Sequence, residues 1–262
     1  MSKTILITGA TDGIGLLTAK TLARQGHKIL LHGRNAAKLA SALKEVGGTS
    51  AGYLADFTSL KDVDAMAKTI LAEHDNLDVL INNAGILKAP QTKTQTGHDI
   101  RFVVNAVAPY MLTTALLAIM PKDGRVVNLS SAAQARVNMS ALAGKSSLND
   151  MEAYAQSKLA ITIWTRELAK TRPEGPTIIA VNPGSLLASK MVKEGFGIAG
   201  NDLSIGADIL CRAALDDEFS DASGKYFDND AGQFSAPHSA ALDSQHSKAV
   251  MTGITDVIAS II

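Results

Sequence analysis

Apolar residues enter this chain in short, nearly unbroken runs: "KTILIT" (3–8), "HKILLHG" (27–33), "TSAGYL" (49–54), "LDVLIN" (77–82), "GRVVNLS" (124–130), "TIIAVN" (177–182) and "GKYFDND" (224–230). A strand with one wet face alternates apolar and polar residues, whereas a strand covered on both faces reads as a continuous apolar run. Amphipathic segments at 14–25, 35–46, 59–74, 98–119 and 151–171 lie between the runs, with Gly26 and Gly47 where helix C-caps would fall. This alternation predicts one α/β domain over residues 1–262, doubly wound, with a mostly parallel seven-stranded sheet and helices on both faces. Two segments follow neither pattern. Residues 132–150 are small and polar, and fit a loop near a substrate mouth or a plain surface excursion. Residues 184–202 are Gly-rich with apolar insertions, and 185–202 are expected to act as a substrate-binding lid.

Composition narrows the class. The 262 residues are 46% hydrophobic and 19% charged, with 25 basic and 25 acidic side chains. That balance gives no electrostatic reason to expect nucleic acid or an anionic membrane as partner. The single cysteine, Cys211, has no internal disulfide partner, and the six histidines show no zinc-ligand spacing, so no metal site is expected. The start "MSKTILITGA" lacks the pattern of a signal peptide, and no uninterrupted apolar run approaches a membrane span. The expectation is a cytoplasmic protein without a membrane anchor. The stretch "MTGITDVIASII" is apolar enough to pack on a second subunit, making a homo-oligomer, or on the chain's own core.

Two patterns carry chemistry. In "TILITGATDGIGLL", Gly9, Gly13 and Gly15 stand between the first strand and the first helix. Glycines there let the backbone approach a pyrophosphate, and a helix start offers free N–H groups and the positive end of its dipole. Glycines alone also fit an ordinary turn, but this strand–turn–helix context is that of a Rossmann dinucleotide site. At the end of the second strand, His32, Gly33, Arg34 and Asn35 include no acid to bind a ribose 2′-hydroxyl. Arg34 is either a solvated loop residue or a fork for a 2′-phosphate, and beside the glycine motif the second reading favours NADP(H) over NAD(H). Tyr154 and Lys158 lie one helical turn apart, so a cation can stand beside a phenol whose free pKa is about 10.

With "TGATDGIG" (8–15), "NNAG" (82–85), "VN" (104–105), "NLSS" (128–131), "YAQSK" (154–158) and "NPG" (182–184) in this order, the chain resembles the short-chain dehydrogenase/reductase family over nearly its whole length. "RVVNLSS", the long gap before Tyr154 and "SGKYF" resemble its retinol-dehydrogenase-like and WW-domain-oxidoreductase-like branch. The resemblance implies Tyr154 as acid/base, Lys158 as the lysine that binds the nicotinamide ribose and lowers the tyrosine's pKa, Ser131 as the serine that orients the carbonyl, and Asn105 as support for a proton-relay water. Ser130 competes with Ser131, which has the motif position. It also implies cofactor contacts from Gly9, Thr11, Asp12, Gly13, Ile14, Gly15 and Arg34. Asp56 would meet the adenine amino group with Phe57 beside the ring, Asn83, Ala84 and Gly85 would line the ribose, and Pro183 and Gly184 would border the nicotinamide. Ser189 stands in for the family's threonine after Pro-Gly. Asp12 departs from many NADPH-preferring relatives, which carry a basic residue in this loop, and this weakens the NADPH expectation without reversing it. The activity implied is interconversion of a carbonyl and an alcohol. Leu186, Leu187, Met191, Phe196 and Ile198 point to a largely apolar small-molecule substrate. A non-catalytic NADP(H) sensor would not need Ser131, Tyr154 and Lys158 together. Epimerisation or dehydration fits the short chain less well. Without an expected anchor, retinoid chemistry is not carried over.

Overall fold

The structure is a computed structural model and describes residues 1–188, 191, 193, 197 and 199–262. The apolar runs become β1 (Thr4–Ile7), β2 (Lys28–Gly33), β3 (Ala51–Leu54), β4 (Val79–Asn82), β5 (Arg125–Leu129), β6 (Thr177–Asn182) and β7 (Tyr226–Asp228). An eighth strand, β8 (Gln233–Ser235), corrects the expected seven. The sheet order is β3-β2-β1-β4-β5-β6-β7-β8, parallel throughout except for the β7–β8 pair.

Both faces are covered, which is why the runs do not alternate. Leu6, Leu30, Leu80, Val126 and Ile178 face one core layer. Ile5, Ile29, Val79, Val127 and Ile179, their neighbours in sequence, face the other. Among the described residues seven longer helices supply the layers: α1 (Gly13–Arg24), α2 (Ala36–Val46), α3 (Leu60–Glu73), α4 (Ile100–Ile119), α5 (Asp150–Lys170), α6 (Leu203–Leu215) and α7 (Ser244–Ala259). The two predicted caps are close to place. Gly47 ends α2 with φ of 65°, and Gly26, with φ of 88°, follows the α1 cap residue Gln25.

Helix α4 bears on one expectation, although Arg101 and Asn105 interrupt its apolar run. It is long and apolar enough to cross a membrane by length and composition, yet most of it is buried within this fold. It is also not uniform. Val103–Val107 form a π-turn, an i→i+5 widening that recurs at functional sites, and the helix ends in a 3₁₀ turn at Leu117–Ile119.

The stretch 132–150 contains a helical turn, Met139–Leu142, with Val137, Ala141 and Leu142 buried. That turn packs against α7: a Cβ on Gly253 would stand 2.8 Å from Leu142 and 2.9 Å from Met139. Helix α7 buries Val250, Ile254 and Val257 in the chain's own core.

The site's position follows from topology. The chain leaves the β3 edge and returns to the middle of the sheet as β4, so the connections after β1 and β4 diverge. In open α/β sheets a crevice opens at that switch point, beyond the carboxyl ends of the strands.

Candidate active site

A cleft of about 490 Å³ occupies this switch point. The glycine loop forms its floor. Gly9 has φ of 64° and lies so close to the β4 connection that a Cβ would stand 2.9 Å from Ala84 Cα. A Cβ on Gly15 would stand 2.4 Å from Asn83 Nδ2 and 2.5 Å from the Gly9 carbonyl oxygen. Gly13, with φ of 55°, has nothing within 4 Å of that position, leaving the loop open toward the cleft. Asn83 lines the cleft but spends its amide on the loop, donating to the Thr8 and Gly9 carbonyls at 2.8 and 3.0 Å. Asp12 caps α1, accepting the Gly13 N–H at 2.8 Å. The arrangement fits a dinucleotide phosphate: a turn kept open by Gly9, Gly13 and Gly15 in front of a helix start.

The second wall follows β2. Arg34, Asn35 and Lys38 line it, and Asn35 caps α2 by accepting the Lys38 N–H at 3.0 Å. Sequence reading missed Lys38, which stands 3.5 Å from the Asp12 carboxylate. Its signal was available, since it falls on the first turn of the helix that follows Arg34. His32 was also missed. It is buried, accepts from Gly9 N–H and stacks on Phe57, with ring centroids 4.1 Å apart at 15°. Phe57 is therefore partnered within the protein, at the cleft's edge. Asp56 closes a turn by accepting the Thr58 N–H and hydroxyl, both at 2.9 Å on Oδ1.

At the far end, α5 begins with a capping box between Asn149 and Glu152 and presents Tyr154 and Lys158 to the cleft. Lys158 is buried, its ammonium donates to the Leu129 carbonyl at 2.7 Å, and it lies 5.6 Å from the centre of the Tyr154 ring. Burial lowers its pKa to about 8. Burial also raises the pKa of Tyr154, against an opposing hydrogen bond with the Ser131 side chain. The charge of Lys158 is not among the causes of that shift. In the protein alone burial prevails, and the group that counters it is Ser131.

Ser130 lines the cleft, but its hydroxyl is bonded to the Lys158 carbonyl and to Thr162 Oγ1 at 3.1 and 2.7 Å. Ser131 is the serine whose side chain counters burial at Tyr154, and its Oγ accepts the Ala133 N–H at 3.1 Å. Asn105, on the π-turn, lies behind the wall. Its Oδ1 accepts the Ile86 N–H at 2.8 Å, and Nδ2 donates to the Ile86 carbonyl and to Ser157 Oγ, both at 2.9 Å. A Cβ on Gly85 would stand 3.5 Å from both Asn105 Oδ1 and Lys158 Nζ, so the bare glycine keeps this corner open.

Thr11, Ile14, Ala84 and Pro183 also line the cleft, and so does Met191. Gly184 stands just beyond Pro183 with φ of 123°. Leu187 is buried and Leu186 exposed. Ser189, Phe196, Ile198 and part of the expected lid lie outside the described residues.

A family model described as short chain dehydrogenase matches residues 3–196. Retinol dehydrogenase 13 of Homo sapiens is 33% identical over 260 residues, spanning 86% of this chain and 76% of that protein. Among solved structures, an uncharacterized protein from Mycobacterium paratuberculosis superposes with a TM-score of 0.81 at 26% identity, covering 97% of this chain and 92% of the other. A short chain dehydrogenase from Shigella flexneri complexed with NADP gives 0.68 at 26% identity, covering 87% and 97%.

Proposed function

This chain belongs to the short-chain dehydrogenase family, in its retinol-dehydrogenase-like branch, and we propose that it interconverts a ketone or aldehyde and an alcohol with NADP(H) as the preferred cofactor. The observation that carries this reading is the meeting of two constellations in one cleft. Gly9, Gly13, Arg34 and Lys38 line one end, while Tyr154 and Lys158 line the other with Ser131 against the tyrosine.

The nicotinamide cofactor supplies the hydride when bound. Everything else falls to the chain. The glycine loop and the start of α1 receive the pyrophosphate. Arg34 and Lys38 offer two cations to a 2′-phosphate, with Asp12 engaged by Lys38 rather than left to repel it. Burial keeps the Tyr154 hydroxyl protonated, which suits a donor to the carbonyl oxygen during reduction. Ser131 orients that oxygen and holds the phenol. In the alcohol-to-carbonyl direction Tyr154 must lose its proton, and the positive charge of Lys158 favours that form. Asn105 keeps Ile86 and Ser157 in place behind the lysine. The apolar Ile86, Val104 and Met191 on the same cleft favour a substrate with a largely apolar body.

The test is NADPH oxidation followed by absorbance against a panel of ketones, aldehydes and quinones, with Tyr154→Phe as control. Turnover of at least one carbonyl by the wild type only is the expected result. NADPH binding with no turnover across the panel would favour a sensor on the same fold.

A further inference from the structure

The cleft wall after β6 is held from outside the cleft. Asn182, buried at the end of β6, turns its amide toward the β7–β8 turn. Its Nδ2 donates to Asp228 Oδ1 and to Asp230 Oδ2, each at 2.9 Å. Its Oδ1 receives the Gly184 N–H at 3.3 Å. Asp230 takes two more donors from Ser185: the backbone N–H on Oδ1 at 2.8 Å and the hydroxyl on Oδ2 at 2.6 Å. Asn229 donates to the Pro183 carbonyl at 3.0 Å. Residues 182, 183 and 185 are thus bonded to three consecutive residues of one turn.

The loop's backbone needs such support. Gly184 has φ of 123°, a region that suits glycine, and Leu186 has φ of 54° without being glycine. Such conformations persist where the surroundings over-determine them. Burial raises the Asp230 pKa, but the hydrogen bonds from Ser185 and Asn182 outweigh it and hold the carboxyl below its ordinary value. The group is therefore an ionised, acceptor-only partner for all three donors at neutral pH. It is also exposed, as is Ser185, so each bond is individually modest and the set acts together.

We propose that Asp230 is a positioning residue: its carboxylate sets the place of the Pro183–Ser185 wall and so the grip of that wall on the dinucleotide. The inference rests on the cofactor reading above. It also assigns the Ser185 hydroxyl, the first one after Pro-Gly, to the protein rather than to a ligand.

The experiment compares Asp230→Asn, Ser185→Ala and the double variant. Asn keeps the shape of Asp230 but faces donors with an amide that can accept on one atom only. NADPH affinity, read by cofactor fluorescence, should fall about tenfold in Asp230→Asn and about threefold in Ser185→Ala. The double variant should be no weaker than Asp230→Asn, because both changes break one link. Amide exchange at 184–188 should quicken in Asp230→Asn while β1 keeps its protection. Affinity within about twofold of wild type, losses that multiply in the double variant, or unchanged exchange at 184–188 would each overturn the proposal. Wild type that fails to bind NADPH would sink the cofactor reading alone, and the exchange arm would still decide the role of Asp230. If Asp230→Asn does not fold, Ser185→Ala, at an exposed position, decides by the same two readouts.

Discussion

His32 accepts the Gly9 N–H on Nδ1 at 3.1 Å while its Nε2 stands 3.0 Å from the Ala55 carbonyl oxygen. Only the neutral ring with its proton on Nε2 satisfies both contacts. A second proton, on Nδ1, would face another donor. The ring therefore ties the phosphate loop to the end of β3 as long as it stays neutral, and burial pushes its pKa down to about 4.

The first prediction follows from the sign of that shift. Between about pH 6.5 and about 4 the unfolded chain binds a proton at this residue and the folded chain does not. Stability from His32 is thus complete above the upper value and is lost as pH falls through the window, by up to about 3 kcal/mol. His32→Gln, which can still accept and donate, should lose less stability between pH 7 and 4.5. Urea denaturation of both proteins at the two pH values measures this, and equal acid losses would show that His32 is not the group responsible.

Tyr154→Phe removes the phenolic oxygen and keeps the ring. Turnover should fall by about 10²–10⁴-fold, the range of a lost general acid, while NADPH affinity stays close to wild type. Retention of more than roughly a tenth of the activity would remove Tyr154 from the proton-transfer role.

Cofactor preference should favour NADPH over NADH by about one to three orders of magnitude in kcat/KM, each tenfold being about 1.4 kcal/mol of transition-state binding. Arg34→Ala should weaken NADPH use and spare NADH. Arg34→Asp should go further, by repelling the phosphate and offering the ribose an acceptor. Lys38→Ala should add a smaller loss, and Asp12→Asn a modest gain for NADPH, since the Asp12–Lys38 contact competes with the phosphate for the same cation. A loss of both cofactors alike in Arg34→Ala would contradict this reading.

Leu187 bridges Asn201, and Ala188 N–H donates to the Asn201 carbonyl at 2.6 Å. Gly200 has φ of 79° there, and a Cβ would stand 2.7 Å from Ala188 Cα. Hydrogen exchange over 185–202 should slow when cofactor and substrate bind, and Gly200→Ala should blunt that change. Exchange that ignores both ligands would rule out a lid.

Much of this was legible because the sheet is covered on both sides: burial of successive residues on opposite faces leaves unbroken apolar runs. The strand β8 left no such mark. It is three residues long, Gln233 and Phe234 are exposed, and its pairing with β7 comes from a turn rather than a pattern. The glycine loop and the Tyr154–Lys158 pair were legible because their chemistry depends on local spacing. His32 and Asp230 were not, because their partners, Gly9 and Ser185, lie 23 and 45 residues away and only the folded topology brings them together. The burial of Tyr154 was not legible for a related reason. Spacing shows which charge is near, but burial, the larger cause here, belongs to the whole fold.

The packing of α7 over α5 has a consequence for how the molecule is made. The helix that bears Tyr154 and Lys158 leaves the ribosome well before its cover. Roughly 75 residues separate the end of α5 from the start of α7, or on the order of 4–15 s of synthesis at about 5–20 residues per second. During that interval the apolar side of α5 that later meets Val250, Ile254 and Val257 has no roof. Nascent chains should be most prone to chaperone capture and aggregation in this stage, and a slow codon run between the two helices would lengthen it.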